Sequence, residues 1–217
     1  MAESYDVVVI GAGQAGLTAS RALTERGLGH VVLERDRIGE RWRTSRWDSL
    51  MFQFPNSVLA LPGLEYAGDD PSGFSHHTEV LRVIESYAEL IAAPVRERTA
   101  VTSLERLDGR WHAETTGGPM ESQAVVIATG PFQTPRIPAL SAQLPRSVTQ
   151  LHSVEYRKPD LLPPGGVLVV GSGASGTQIA EELVEAGRDT YLSVSRHRRV
   201  PRRYAGRDVT DWLIEMG

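Results

Sequence analysis

Three glycines near the start of the chain have the spacing of a phosphate-binding turn, in the run Gly11-Ala-Gly13-Gln-Ala-Gly16. In such a turn the first glycine allows a tight bend, the second lets the backbone approach a pyrophosphate, and the third lets helix pack on strand. The N–H groups that begin the helix, at Gln14 and Ala15, would then face the phosphates. Glu34 follows about 20 residues on and would accept hydrogen bonds from an adenosine ribose.

A second run of the same kind appears at an offset of 160 residues. The second cofactor site would comprise Gly171, Ser172, Gly173, Ser175 and Gly176. The same offset places Val194 opposite Glu34, so the second copy lacks the ribose-binding acid. A basic run follows instead, and its candidate ligands for a 2′-phosphate are Arg196, Arg198 and Arg202. Guanidinium groups bind phosphate by charge-assisted hydrogen bonds, which predicts an NADPH site; the alternative is a solvated loop or contact with another anion.

The elements around both motifs favour an α/β fold with tandem Rossmann-like FAD- and NAD(P)-binding domains. An apolar strand ending at Ile10 precedes the first motif, a helix over 14–26 follows it, and a strand over 30–34 comes next. Apolar spacing predicts a helix over 76–92, and Asp108-Gly109 predicts the turn of a hairpin. The prolines after the strand over 124–130 suggest a boundary between domains at 1–138 and 139–217.

Composition limits the classes of partner. The net charge is −4, with 23 Lys and Arg against 27 Asp and Glu, which predicts no general attraction to nucleic acid. The sequence has no cysteine, so it predicts neither a disulfide nor a dithiol that could accept electrons from a flavin. His76 and His77 have no neighbouring ligand pair, so no metal site is expected. We expect no signal peptide, no integral membrane contact and a cytoplasmic location.

Two nucleotide sites of unlike specificity are typical of a flavoprotein that is reduced by a nicotinamide. The first site would hold FAD, and the second would hold NADPH, which delivers hydride to the flavin. This pairing follows from Glu34 in the first copy and the arginines in the second.

The chain resembles the N-terminal half of flavin-containing monooxygenases, especially a bacterial branch often labelled as flavoproteins involved in potassium transport. Residues 38–43 resemble that family's GGxW segment, and Ala128-Thr129-Gly130 resembles its ATG strand end. Residues 201–208 and 211–213 are similar to the bacterial branch. The family signature FxGxxxHxxxY is present in its second part, as His152 and Tyr156; Arg146 and Val148 stand where its Phe and Gly would be.

The resemblance implies roles for further residues. Arg35 and Val101 would lie beside the adenine of FAD, Trp42, Arg43 and Thr129 would lie along the flavin, and Ala128 and Gly130 would complete that strand end. Gln53 is the candidate catalytic residue, because the family commonly has an Asn facing the isoalloxazine there. The alternative is a purely structural role, in which the Gln53 amide is buried and makes its hydrogen bonds within the core. The implied reaction is reduction of FAD by NADPH, followed by oxygenation of a small organic substrate with dioxygen.

The second domain has only its first strand, its helix and its second strand before the chain ends at Gly217, fewer than a complete mononucleotide-binding half. We therefore expect a truncated second domain, and an uncovered sheet edge that favours a homodimer. Two alternatives remain open: an NADPH oxidase or electron-transfer flavoprotein, and a non-catalytic dinucleotide-binding remnant. The sequence does not identify the organic substrate.

Overall fold

The computed structural model describes residues 2–196 and 201–216. Two units are distinguished by their internal contacts, and each is described by itself. The first unit comprises Met1–Thr44, Ala60–Glu65 and Thr78–Thr134. The second comprises Ser45–Leu59, Tyr66–His77 and Pro135–Gly217.

A six-stranded sheet in the order β3-β2-β1-β6-β5-β4 forms the centre of the first unit. Its strands are β1 (Glu3–Ile10), β2 (His30–Leu33), β3 (Val95–Arg96), β4 (Val101–Leu107), β5 (Arg110–Thr115) and β6 (Met120–Ile127). Strand β1 pairs in parallel with β2 and β6, and β2 pairs in parallel with β3. Strands β4 to β6 pair antiparallel. The sheet is therefore parallel where the first glycine motif emerges from it.

The second half of β1, residues 7–10, is buried on both faces of the sheet, as its unbroken apolar sequence predicts. On one face Val7 and Val9 pack in a cluster with Val32 of β2. On the other face Val8 packs with Met120 of β6. Successive side chains of a strand point to opposite faces, so both sides of the sheet have an apolar layer.

Three α-helices of the described residues precede the hairpin: α1 (Gln14–Glu25), α2 (Glu40–Thr44) and α3 (His77–Leu90). The predicted apolar stripe of α3 is confirmed, with Val80, Leu81, Ile84, Tyr87 and Ala88 all buried. The helix ends two residues before the predicted limit because Ala92 takes a left-handed conformation, with φ 46°.

The predicted hairpin is confirmed as β4 and β5. Asp108 and Gly109 both have positive φ, 50° and 83°, which is the conformation of a type I′ turn. Strand β6 starts at Met120, earlier than the apolar run predicts, because Met120 pairs with Glu3 at the start of β1. Pairing partners, and not hydrophobicity alone, set that end of the strand.

In the second unit, β7 (Val167–Val170) and β8 (Thr190–Ser193) form a parallel pair connected by α4 (Ala174–Glu185). Ile179, Ala180 and Leu183 of α4 are buried. Leu168 and Val170 of β7 are exposed by 62% and 71%. The predicted β–α–β arrangement around the second motif is therefore present.

Further short elements, which the sequence did not predict, follow β8 in the second unit, so the expected strand, helix and strand are not its only elements. Strands β9 (Arg203–Tyr204) and β10 (Arg207–Asp208) form a small antiparallel pair, followed by α5 (Val209–Met216). In the part of this unit that the structure describes, 3-10 helices lie at Asn56–Leu59, Ala139–Gln143 and Pro159–Leu161. Among the helices of the described ranges, none is both long and apolar enough to cross a membrane.

Candidate dinucleotide-binding sites

Two glycines of the first motif are required by the packing of the chain itself. Gly11 has φ +108°, and a Cβ atom there would lie 2.6 Å from the carbonyl oxygen of Ala128. A Cβ atom on Gly16 would lie 1.8 Å from the carbonyl oxygen of Gly11. Side chains at these two positions would separate α1 from the turn and the turn from β6.

Gly13 differs from both, because nothing in the protein requires a glycine there. Its φ and ψ, −89° and −174°, are extended values that any residue adopts. A Cβ atom would meet nothing within 4 Å. Gly13 therefore leaves open space on the outer side of the turn, where a ligand could approach the backbone.

The start of α1 is also suited to an anion. Gly13 is the N-cap, no side chain caps the helix, and the first turn has no acidic residue. The first N–H groups of a helix lack partners within it, and the helix dipole adds positive charge there. The N–H groups that follow Gly13, at Gln14, Ala15 and Gly16, thus begin an uncapped helix at the turn.

Glu34 lies directly beside this turn, immediately after β2. One carboxylate oxygen accepts a hydrogen bond from the backbone N–H of Ala12 at 2.9 Å, and the other accepts one from Asp36 at 3.1 Å. Each oxygen of a carboxylate can accept more than one hydrogen bond. Glu34 is half-buried, and it retains acceptor capacity for hydroxyl groups of a ligand beside the glycine turn.

The Ala128-Thr129-Gly130 segment leaves β6 at the same edge of the sheet. The N–H of Ala128 donates to the carbonyl oxygen of Ile10 at 2.8 Å. A Cβ atom on Gly11 would lie 3.0 Å from the carbonyl carbon of Ala128 and 3.3 Å from the Cα of Thr129. The structure thus brings Ala128 and Thr129 against the first glycine, at the carboxyl ends of the parallel strands, where ligands of such sheets bind.

Gln133, which the sequence did not indicate as a site residue, connects the loop after β6 with the loop after β2 at this edge of the sheet. Its amide donates to the carbonyl oxygen of Thr129, and its own oxygen accepts a hydrogen bond from Arg35 at 3.2 Å. Arg35 also pairs with Asp36 at 3.2 Å and is exposed. No spacing in the sequence indicates this contact, because 98 residues separate Arg35 from Gln133.

The other residues expected around FAD occupy different places in the first unit. Val101 packs partly buried against the apolar cluster that contains Val8. Trp42 lies half-buried in α2. Arg43, in the same helix, pairs with Glu85 of α3. The guanidinium of Arg43 therefore helps to join α2 to α3, whatever else it contacts.

The second motif repeats the backbone conformation of the first, although a Cβ atom on Gly171 would meet nothing within 4 Å. Gly171 has φ +104°, and a Cβ atom on Gly176 would lie 1.9 Å from the carbonyl oxygen of Gly171. Gly173 has extended values, φ −75° and ψ −178°, and no side chain caps α4. A Cβ atom on Gly173 would meet nothing within 4 Å. Ser172 and Ser175 flank this turn, Ser175 being exposed.

The arginines expected at a 2′-phosphate have different surroundings. Arg196 lies beyond β8 and is exposed. Arg198 lies outside the described residues. Arg202 is held within the second unit, because its Nε lies 2.7 Å from Asp208 and its Nη1 donates to the carbonyl oxygen of Gln53 at 2.6 Å.

Gln53 is an exposed residue of the second unit, so it is not the satisfied core amide that the alternative interpretation assumed. Phe52 and Phe54 flank it, with ring centroids 5.4 Å apart in an edge-to-face arrangement. The side-chain amide of Gln53 is therefore available on the surface of this unit.

Tyr156, the tyrosine of the family signature, contacts α4. Its hydroxyl donates to Glu182 at 2.7 Å, and Tyr156 is buried. Burial and then the neighbouring Glu182 carboxylate raise the pKa of the Tyr156 hydroxyl, which stays protonated at neutral pH. His152 begins the turn that carries it, since its carbonyl oxygen accepts from the N–H of Glu155 at 2.8 Å. Tyr156 thus supports the helix that begins at the second motif.

The described residues contain no group of three or more His, Asp or Glu side chains that could hold a metal ion. His76 donates from Nε2 to the carbonyl oxygen of Asp48 at 2.6 Å. The His76 and His77 rings lie 4.3 Å apart by their centroids. This histidine pair is part of the local packing of the second unit.

Comparison with known proteins identifies the family. The family of pyridine nucleotide-disulphide oxidoreductases matches residues 8–213. An uncharacterized CzcO-like oxidoreductase of Geobacillus kaustophilus is 39% identical over 219 residues, covering 100% of this chain and 62% of that protein. The flavin-containing monooxygenase FMO GS-OX4 of Arabidopsis thaliana is 30% identical, covering 88% of this chain and 49% of that protein.

A solved structure agrees with these relatives. The flavin-containing monooxygenase of Stenotrophomonas maltophilia superimposes with a TM-score of 0.81 at 27% identity, covering 98% of this chain and 63% of that chain. The chain therefore corresponds to the N-terminal portion of larger proteins and spans about half to two thirds of their length. The mixed α/β fold with a Rossmann-type parallel sheet is confirmed. By sequence and by fold, this chain belongs to the pyridine nucleotide-disulphide oxidoreductase family and is similar to its flavin monooxygenases.

Proposed function

We propose that the chain carries the FAD and NADPH sites of a flavoprotein monooxygenase. The observation that carries this proposal is the pair Gly13 and Gly173. In each motif the first and third glycines have a steric or conformational reason within the protein, whereas the middle glycine has none. Open backbone at two uncapped helix starts is the arrangement that two pyrophosphates require.

FAD fits the first site. The backbone of Gly11, Gly13 and Gly16 would hold its pyrophosphate at the start of α1. Glu34, already placed 2.9 Å from the N–H of Ala12, would accept hydrogen bonds from the adenosine ribose. The loop from Ala128 to Gly130 would line the same edge, and Arg35, Val101, Trp42 and Arg43 stay proposed contacts on the strength of family resemblance.

NADPH fits the second site. The Gly171–Gly176 turn would hold its pyrophosphate, and Ser172 and Ser175 would add hydroxyl donors. Val194 replaces the ribose-binding acid, so no carboxylate at that position would repel a 2′-phosphate. Arg196 is exposed beyond β8 and would pair with that phosphate.

When bound, FAD supplies the redox-active ring system and NADPH supplies two electrons as hydride. The residues of this chain bind and orient these groups, and Gln53 would present an amide donor and acceptor to the reacting ring. One oxygen atom of dioxygen would go to a small substrate such as a thioether, and the other would leave as water. A cytoplasmic location and a small-molecule substrate are part of the same proposal.

Reciprocal variants test the two sites. We expect Gly13→Val to weaken FAD binding by at least about tenfold and to leave NADPH binding unchanged, since the new side chain occupies the pyrophosphate position. Gly173→Val should do the reverse. Binding is measured by titration of purified protein with each nucleotide. Equal affinities of both variants and the wild type would contradict the assignment of the two turns.

Product analysis separates oxygenation from simple NADPH oxidation. The FAD-loaded protein, supplied with NADPH, dioxygen and a thioether, should form the sulfoxide if it is a monooxygenase. Consumption of NADPH without sulfoxide would favour an oxidase or electron-transfer flavoprotein. A folded chain that binds neither nucleotide would favour the non-catalytic alternative.

A further inference from the structure

The side chain of Arg202 connects three separate segments of the second unit. Its Nε lies 2.7 Å from Oδ2 of Asp208. Its Nη1 donates to the carbonyl oxygen of Gln53 at 2.6 Å. The guanidinium carbon lies 4.6 Å from the centroid of the Phe74 ring, within the range of a cation–π contact. We call this arrangement the Arg202 clamp.

Asp208 fixes the orientation of the clamp. Its carboxylate is buried, and Oδ1 accepts a hydrogen bond from the N–H of Thr210 at 2.8 Å, at the start of α5. Burial opposes ionisation, but the bonds from Thr210 and the pairing with Arg202 lower the pKa of Asp208 overall. A charged carboxylate that is held by a helix start therefore leaves one oxygen for Arg202.

The segment before Gln53 is held by other contacts. The Gln178 amide pairs with both the N–H and the carbonyl oxygen of Met51, each at 3.0 Å. The N–H of Phe52 donates to the carbonyl oxygen of Ser75 at 2.7 Å. Gln53 comes next, and its carbonyl oxygen is bound by Arg202. The backbone is therefore held by hydrogen bonds at Met51, Phe52 and Gln53 in succession, and the bond from Arg202 is the one at Gln53 itself.

The clamp also reduces the ability of Arg202 to bind a phosphate group. Its charge is paired with Asp208, and two of its nitrogens already donate to protein oxygens. A further anion would have to compete with the negative charge of Asp208. Arg196, exposed beyond β8, has no such carboxylate partner among the described contacts.

We propose that Arg202 is a positioning residue for Gln53, and not a ligand of the NADPH 2′-phosphate. The proposal rests on the proposed function, which places Gln53 at the reacting ring. Arg is suited to this task, because its planar fork donates in two directions at once, whereas Lys provides a single charged centre.

Amide hydrogen exchange of the full chain tests the clamp without any cofactor. We expect Arg202→Ala to increase the exchange rate of the Phe52 N–H by about tenfold, since a charge-assisted hydrogen bond to the carbonyl oxygen of the next residue, Gln53, is lost and this backbone segment is held less firmly. Arg202→Lys should restore only part of the protection. Arg203→Ala, a matched control in the exposed adjacent residue, should exchange as the wild type does. An unchanged Phe52 rate in Arg202→Ala would overturn the proposal.

A second variant covers the case in which Arg202→Ala fails to fold. Asp208→Asn keeps an acceptor for the N–H of Thr210 and removes the charge that orients Arg202. Like Arg202→Ala, it should raise the exchange rate of the Phe52 N–H, while the amides of Val8 and Val9 in β1 keep their protection. Wild-type exchange at Phe52 in Asp208→Asn would count against the clamp.

Nucleotide selectivity and the flavin spectrum separate positioning from the other roles. The ratio of NADPH to NADH affinity should change by less than about twofold in Arg202→Ala and fall by about tenfold in Arg196→Ala. An equal fall of this affinity ratio in Arg202→Ala and Arg196→Ala would overturn the proposal. The absorption spectrum of FAD-loaded Arg202→Ala should shift in the direction seen in Gln53→Ala; an unshifted spectrum would reduce Arg202 to a structural role. If the wild type binds no FAD, the proposed function fails, while the exchange data still decide the clamp.

Discussion

Replacing Gly16 by alanine should destabilise the fold far more than the same change at Gly13. A Cβ atom on Gly16 would lie 1.8 Å from the carbonyl oxygen of Gly11 and 3.0 Å from its carbonyl carbon. Contacting heavy atoms normally lie about 3.5 Å apart, so helix α1 and the turn would have to separate by more than about 1 Å. Both partners are backbone atoms, and neither can rotate away.

The expected cost follows from this geometry. Overpacking of a well-packed region costs about 1–3 kcal/mol, and a rigid backbone clash belongs at the upper end of that range. We therefore expect Gly16→Ala to lower the free energy of unfolding by about 3 kcal/mol. For a chain of this length that corresponds to a fall in melting temperature of about 6–12 °C.

Gly13→Ala is the matched control, because its backbone is extended and a Cβ atom there meets nothing within 4 Å. Its free energy of unfolding should fall by less than about 1 kcal/mol, because alanine is a poorer N-cap than glycine but makes no clash. Urea unfolding without nucleotide, followed by circular dichroism, measures both variants. A Gly16→Ala variant as stable as Gly13→Ala, or a Gly13→Ala variant that loses as much stability as Gly16→Ala, would show that the contact between Gly16 and the Gly11 carbonyl does not require glycine.

Three further perturbations test other parts of the account. Arg196→Ala should weaken NADPH by about tenfold and NADH little, by fluorescence titration; equal losses would remove the 2′-phosphate argument. Tyr156→Phe should lower the free energy of unfolding by about 1–2 kcal/mol, because Glu182 loses its donor, and an unchanged urea midpoint would contradict this. The hydrogen bond from Arg96, and then that from Tyr5, lower the pKa of Glu3 to about 2, so this pairing stabilises the fold above about pH 4.5. That contribution disappears as the pH falls towards 2; the stability difference between wild type and Glu3→Gln should shrink over this range, and a constant difference would argue against the pairing.

Local signals in the sequence were sufficient to predict the elements around both glycine motifs. The part of a strand that is buried on both faces must be apolar at successive positions, and Val7, Val8 and Val9 of β1 show this directly. The Asp108-Gly109 turn was also predictable from the sequence, because a turn with two consecutive positive φ values favours those residue types. Short-range patterns therefore predicted the type of the elements around both motifs, the helix α3 and the turn between β4 and β5, but not α5.

Contacts between distant segments were not predictable in this way. Arg202 and Gln53 are separated by 149 residues, and nothing in the composition of either segment indicates their hydrogen bond. Glu182 lies 26 residues from Tyr156, and its pairing depends on how α4 packs. The basic run after the second motif predicted a phosphate ligand at Arg202, whereas the structure shows a buried carboxylate, Asp208, beside it. The hydrogen-bond partners of these side chains depend on how distant segments of the chain pack together.

The most direct test of the central claim is a calorimetric titration of the folded wild-type chain with FAD and then with NADPH. We predict that each nucleotide binds at one site per chain, and that prior saturation with FAD does not prevent NADPH from binding. A folded sample that binds neither nucleotide, or that binds both in competition at a single site, would contradict the assignment of two separate cofactor sites.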